Sequence, residues 1–153
     1  MAIVYLGLGT NLGDREKNLR QAIHEIEKRI GRVTSSSAFY QTEPWGFDSP
    51  NTFVNAAIGV ETVLSPEEVL QQIRTIEVEM GRLCKSFGGN YADRIIDVDI
   101  LLYDDLVVDI PGLSIPHPLM VERKFVLEPL VEIAPDIKHP VTGRSMKELL
   151  DRL

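Results

Sequence analysis

The sequence is short of the residues that mark covalent or metal-stapled scaffolds. Cysteine occurs once, at Cys84. A single thiol excludes an internal disulfide and a cysteine-rich zinc site, and it suits a reducing compartment. Tryptophan also occurs once, at Trp45, and aromatic residues make up 7% of the chain. Positive charge is scarce as well: 16 Lys and Arg stand against 23 Asp and Glu, a formal net charge of −7. That balance argues against non-specific binding of nucleic acid or of an anionic membrane, while a local basic patch can still hold a small phosphorylated ligand. Long apolar runs are absent too. The opening Met1-Ala2-Ile3-Val4-Tyr5-Leu6 has no basic region before it and falls far short of the roughly 20 residues that span a bilayer. No internal repeat, linker or low-complexity segment interrupts the 153 residues, of which 44% are hydrophobic and 25% charged. The expectation is one cytoplasmic domain over residues 1–153, acting as a monomer, with neither a nucleic acid nor a membrane as partner.

Against this background one stretch is unusual. Arg94-Ile95-Ile96-Asp97-Val98-Asp99-Ile100-Leu101-Leu102 reads as a strand of Ile, Val and Leu, yet it carries Asp, a residue depleted in strands, at two positions near its start. Side chains alternate along a strand, so Asp97 and Asp99 share a face with Ile95 and Leu101, while Ile96, Val98, Ile100 and Leu102 form the other. Two carboxylates at this spacing repel each other. A hard divalent cation relieves that repulsion, typically Mg²⁺ with phosphate oxygens completing its shell. The alternative is a sheet end where both acids meet water, and a bare Asp-x-Asp does not decide between them.

Elsewhere the chain alternates strand and helix signals. An apolar run over residues 2–8 predicts a first strand, stopped by Gly7, Gly9 and Gly13. The glycines invite a nucleotide-loop reading, but Leu12 stands where a dinucleotide fingerprint needs its third Gly, and Gly13 is followed by Asp14-Arg15 instead of Lys-Ser/Thr. A tight turn with helix-capping polar residues accounts for residues 9–14. Leu19, Ala22, Ile23, Ile26 and Ile30 then recur at helical spacing up to Gly31, with His24 off that stripe at the surface. Strands are predicted over residues 33–41 and 53–62. The long aromatic connection between them holds Trp45 and Phe47, which either fold onto the core or await a flat ligand. Ser65-Pro66-Glu67-Glu68 is a capping box with Pro at the first helical position, and Val69, Leu70, Ile73, Ile76 and Met80 mark the buried face up to Gly81. Glu77 lies beside that face and needs partners. Arg82, Lys85 and Arg94 follow before the Asp-bearing strand, as a converging cationic set or as solvated surface charge. Tyr103-Asp104-Asp105 is a turn, and residues 106–110 form a possible short strand. Ser114-Ile115-Pro116-His117-Pro118 fixes a histidine between two prolines, suited to a ligand contact or to a structural hydrogen bond. A short helical turn over residues 119–122, a helix over 126–134 and a last helix from the capping box Ser145-Met146-Lys147-Glu148 complete the reading.

Strand, helix, strand, strand, helix, strand is the order of the ferredoxin-like α/β sandwich, an α+β fold with helices on one face of an antiparallel sheet, here with a C-terminal extension. On that arrangement Ile96, Val98 and Ile100 pack under the helices, and Asp97 and Asp99 stay on the open face. Fold alone names no function.

The residues themselves resemble a family. Gly9-Thr10-Asn11-Leu12-Gly13, Phe39-Tyr40-Gln41-Thr42, Phe53-Val54-Asn55-Ala56-Ala57, Ile76-Glu77 with Gly81-Arg82, Arg94-x-x-Asp97-x-Asp99 and Pro116-His117-Pro118 together look like 6-hydroxymethyl-7,8-dihydropterin pyrophosphokinase. The resemblance implies transfer of diphosphate from ATP to the hydroxymethyl group of the pterin, giving AMP, in folate biosynthesis. By family role Asp97 and Asp99 would hold two Mg²⁺ ions, with Arg82 and Arg94 joining them as the catalytic set. Glu77, Arg82, Lys85, Arg94, His117 and Arg123 would meet ATP. Thr42, Pro44, Trp45, Phe53, Asn55 and Phe125, with Asp97, would enclose the pterin. The pattern departs from the family at Cys84, where many members have Arg, and at Glu43, where a Pro is often found. It departs again over residues 85–93, which lack the familiar Arg-Trp-Gly-Pro-Arg run. Phosphoryl-group chemistry fits such a set, since it needs neutralised phosphate oxygens and reactants held in line. Two other classes fit less well. An RNA-binding module would place aromatics where this sheet places acids, and a non-catalytic ligand-sensing or assembly domain has no need of Asp97 and Asp99 together with Arg82, Arg94 and His117.

Overall fold

The computed structural model describes residues 1–42, 53–81 and 95–153. Pro44, Trp45, Arg82, Cys84, Lys85 and Arg94, the aromatic connection and the cationic loop lie outside the described residues, and Thr42 is described by its backbone only.

An antiparallel sheet is built from β1 (Ala2–Thr10), β2 (Arg32–Ser36), β3 (Tyr40–Thr42), β4 (Phe53–Thr62) and β5 (Asp97–Tyr103), in the order β2-β4-β1-β5 with β3 also paired to β4. Helices α1 (Arg15–Arg29) and α2 (Pro66–Glu79) cover one face. This is the expected ferredoxin-like order, with β1 at the centre between β4 and β5. The helix stripes fall as the spacing predicts. Leu19, Ala22 and Ile26 of α1 and Val69, Ile73 and Ile76 of α2 are buried against Leu6, Leu8, Ile58, Val60, Val98 and Ile100 of the sheet. Both expected helix starts are present: Asp14 accepts the Lys17 N–H for α1, and Ser65 and Glu68 close the reciprocal box for α2. His24 is exposed, as expected.

Four details differ from the sequence reading. The strand expected over residues 33–41 divides into β2 and β3 at Ser37, whose N–H donates to the Ala57 carbonyl at 2.9 Å while its Oγ accepts the Ala57 N–H at 2.9 Å. Gly31 serves close approach more than helix capping. A Cβ there would lie 1.9 Å from the Glu61 carbonyl oxygen, so only glycine lets the chain leave α1 this close to β4. The short strand after Asp105 runs over β6 (Val108–Ile110) and pairs with an unexpected β7 (Leu113–Ile115), turned by Gly112 at a φ of 82°. Its signal was hidden by the Pro-rich run that follows.

The fourth difference lies in β5. Between Leu6↔Ile100 and Tyr5↔Leu102 the register slips by one residue, and Leu101 is the extra one. Leu102, expected on the helix-covered face, therefore turns with Leu101 to the opposite face. There both join Ala57, Met120, Leu127, Leu130, Ala134, Met146 and Leu149 in a second apolar cluster. The 3₁₀ turn Met120–Glu122, helix α3 (Lys124–Ile133) and helix α4 (Met146–Asp151) supply that cluster, and α4 opens on the expected Ser145–Glu148 box. The face carrying the two acids is thus open over only part of its length. Among the described residues no helix is long and apolar enough to cross a membrane.

Candidate active site

The polar half of this second face is set by strand register. Tyr40 pairs with Asn55, Asn55 with Gly9, and Gly9 with Asp97, so one row crosses β3, β4, β1 and β5 with its side chains on one face. The next rows hold Phe53 opposite Thr42, and Gly7 opposite Asp99. Asp97 and Asp99 are half-buried, Phe53 likewise, and Asn55 is 7% exposed. The expectation that both acids share a face with each other, and not with Val98 or Ile100, is met in the strand.

Gly9 is the member that sequence reading assigned to a turn. It lies inside β1, and a Cβ built on it would sit 2.9 Å from Asn55 Oδ1 and 3.7 Å from the Phe53 ring. Its missing side chain is what lets the Asn55 amide and the Phe53 ring lie over the strand beside Asp97. Neighbouring Thr10 and Asn11, read as turn residues, are fully buried polar groups at the same strand end. The Asn18 amide reaches back to the Leu12 carbonyl at 2.8 Å and the Thr10 hydroxyl at 3.4 Å, tying α1 to this turn.

Glu77 is buried at 4% exposure, and its Oε2 accepts the Val98 N–H at 3.0 Å. Among the described strands β5 lies at the edge, so this carboxylate satisfies an outward backbone donor midway between the two Asp residues. The partner sought for Glu77 among the cations thus includes a backbone amide.

His117 follows a cis Ile115–Pro116 peptide, and its N–H donates to the Leu101 carbonyl at 3.0 Å. Its Nδ1 accepts the Leu119 N–H at 3.2 Å, which puts the proton of the neutral ring on Nε2 and makes that nitrogen a donor. Burial first, and then the charge of Arg123, push its pKa below the usual histidine value, against an opposing pull from Asp97. His117 therefore lies within electrostatic reach of both an acid from β5 and the cation that precedes α3. Arg123 is itself 7% exposed, and its guanidinium carbon stands 5.6 Å from the centre of the Phe125 ring. The fold brings together Asp97, Asp99, Glu77, His117, Arg123, Phe53, Asn55 and Phe125 around one end of the sheet and the start of α3.

A half-polar sheet face with two acids, a neutral histidine donor, a buried arginine and two phenyl rings suits a ligand that is flat at one end and anionic at the other. Residues 5–135 match the family model of 7,8-dihydro-6-hydroxymethylpterin-pyrophosphokinase, HPPK. The chain belongs to that family. Family membership makes it a pyrophosphokinase of folate biosynthesis. It is 49% identical over 141 residues to the 2-amino-4-hydroxy-6-hydroxymethyldihydropteridine pyrophosphokinase of Porphyromonas gingivalis (strain ATCC 33277), covering 92% of this chain and 95% of that one. It is 39% identical over 148 residues to the Aquifex aeolicus protein of the same name, covering 97% and 90%. Among solved structures it is similar to wild-type HPPK-DHPS of Plasmodium falciparum, with a TM-score of 0.79 at 19% identity. That match covers 99% of this chain but 44% of the longer one, and it speaks for the fold.

Proposed function

We propose that the chain transfers the β,γ-diphosphate of ATP to the hydroxymethyl oxygen of 6-hydroxymethyl-7,8-dihydropterin. In this step the hydroxymethyl oxygen bonds to the β-phosphorus, the bond from that phosphorus to the α,β-bridging oxygen breaks, AMP leaves, and the hydroxyl proton passes to solvent. The observation that carries the reading is the row Asn55, Gly9, Asp97, with Asp99 beside it and with Asp97 and Arg123 both within electrostatic reach of His117.

In this reading Phe53 and Phe125 offer ring faces to the pterin, and Asn55, which both donates and accepts, reads its edge. By family role Thr42, Pro44 and Trp45 also meet the pterin. Asp97 and Asp99 are the groups that would hold Mg²⁺, two ions by family role. The donor set fits this ion: Asp97 and Asp99 offer two carboxylates from one strand face, and Mg²⁺ asks only one or two carboxylates of a protein while keeping water and phosphate oxygens. Bound there, it would neutralise charge on the transferring phosphates. His117, through Nε2–H, and Arg123 donate to phosphate oxygens, and by family role Glu77, Arg82, Lys85 and Arg94 belong to the same ATP-contacting set. Arg82 and Arg94 serve the transition state, where phosphate charge redistributes. Two apolar clusters on one sheet support residues 1–153 as a single domain, and the proposal takes the protein to act as a cytoplasmic monomer.

The test is direct. Incubation with ATP, Mg²⁺ and 6-hydroxymethyl-7,8-dihydropterin should release AMP and pterin diphosphate in equal amounts, with neither formed when Mg²⁺ or the pterin is omitted. Formation of ADP, or AMP release independent of the pterin, would refute the assignment.

A further inference from the structure

We infer that Glu132 and Tyr40 form a positioning clamp that sets the two walls of the pterin slot relative to each other, a role that rests on the pterin-site reading above. Between β2 and β3 the pairing with β4 lapses, and the Ala38 N–H falls in the gap. Glu132, from the far end of α3, fills it: Ala38 N donates to its two carboxylate oxygens at 3.0 and 3.2 Å. The Tyr40 hydroxyl donates to Oε1 of the same carboxylate at 2.5 Å. A strand of three residues has little register of its own. β3 is therefore seated on β4 as much by α3 as by its own ladder.

What this seating controls follows from the register. Tyr40 lies directly opposite Asn55 on the same sheet face, and Thr42 lies opposite Phe53. Asn55, Thr42 and Phe53 belong to the pterin set, and Tyr40 flanks them without belonging to it. The other wall is Phe125, seven residues before Glu132 on α3. Seven residues are two helical turns, so Phe125 and Glu132 project from one side of the helix about 10 Å apart along its axis. Glu128 lies between them on that side, and its charge also reaches the Tyr40 phenol. One carboxylate thus ties the helix bearing one ring wall to the strand flanking Asn55 and Phe53. The hydrogen bond to Glu132 pushes the Tyr40 pKa up to about 12, so the phenol stays a donor across the working pH range.

Glu132 and Tyr40 touch neither substrate in this scheme, so the effect belongs on the pterin side alone. In Glu132→Ala and Tyr40→Phe the KM for the pterin should rise about tenfold or more, the scale of one lost charge-assisted hydrogen bond, with kcat and the KM for ATP within about twofold of wild type. Glu132→Gln, which keeps one acceptor oxygen, should fall between. A lower melting temperature with an unchanged pterin KM would show a merely structural contact and overturn the inference, as would equal rises in both KM values. Tyr40→Phe, which removes only a hydroxyl, carries the test should Glu132→Ala not fold. Asn55→Ala separates the two levels. If it leaves the pterin KM unchanged, the pterin site itself is misplaced; if it raises that KM while the clamp variants do not, only the clamp fails.

Discussion

The two halves of β5 obey different rules. From Asp97 to Ile100 the strand alternates, acid and apolar, one face toward the proposed site and one for the core. From Leu101 to Tyr103 every residue is buried. The bulge at Leu101 separates the halves, since one extra residue turns Leu101 and Leu102 together into the cluster under α3 and α4. A seven-residue strand thereby places two carboxylates in a polar site and, immediately after, anchors a second hydrophobic layer. Glu77 holds the outer edge between the acids by accepting the Val98 N–H.

Substitutions can break that division. The largest effect belongs to the acid half: Asp97→Asn or Asp99→Asn should lower kcat by on the order of a hundredfold or more, read as AMP release, because charge stabilisation at the phosphates is lost. In the packing half, Leu102→Ala should cost about 2–5 kcal/mol of stability in urea unfolding while each molecule that remains folded turns over normally. Destruction of turnover by Leu102→Ala at low temperature, with the protein still folded, would show that the halves are not independent.

A smaller effect belongs to Gly9. Gly9→Ala puts a methyl group within 2.9 Å of Asn55 Oδ1, so the amide must shift, and the KM for the pterin should rise by about tenfold, or ~1.4 kcal/mol, with folding nearly unaffected. An unchanged KM would mean that the Asn55 amide does not read the pterin.

The smallest effect is a pH slope from the C-terminal layer. His139 is 6% exposed, and its Nδ1 accepts the Val141 and Thr142 N–H groups at 3.2 and 3.1 Å. Burial lowers its pKa below the ordinary 6.5. The unfolded chain therefore takes up a proton near pH 6.5 that the folded chain resists. Stability is full above that pH and declines as pH falls through 6.5 toward the lowered folded value. His117 adds to the slope in the same direction. His139→Asn should flatten the decline between pH 7 and 5 in urea titrations. A slope unchanged from wild type would assign it wholly to other groups.

Much of this was legible in the sequence. The ferredoxin-like order, both capping boxes, the helix stripes and the alternation that aligns Asp97 with Asp99 follow from spacing alone, because period and caps are local properties. The bulge was not legible: Leu101-Leu102 looks like any buried pair, and only pairing with Tyr5 and Leu6 reveals the slip. Gly9 looked like a turn residue because glycine before Thr-Asn usually is one, whereas here its reason is the Asn55 amide across the sheet. Glu77 was recognised as an acid in want of partners, but the Val98 N–H lies 21 residues away and belongs to no pattern. Tyr40 and Glu132, 92 residues apart, carry no sequence signal of association.

The central claim is that the two carboxylates of β5 serve a metal–nucleotide ligand more than they serve the fold. Thermal unfolding of wild type, Asp97→Asn and Asp99→Asn, each with and without Mg²⁺ and a non-hydrolysable ATP analogue, tests it most directly. The account predicts that the ligand-free variants melt at or above the wild-type temperature, since two like charges on one face have been reduced to one, and that the complex raises the melting temperature of wild type alone. Variants that melt lower than wild type without ligand, or that gain as much as wild type from Mg²⁺ and the analogue, would contradict it.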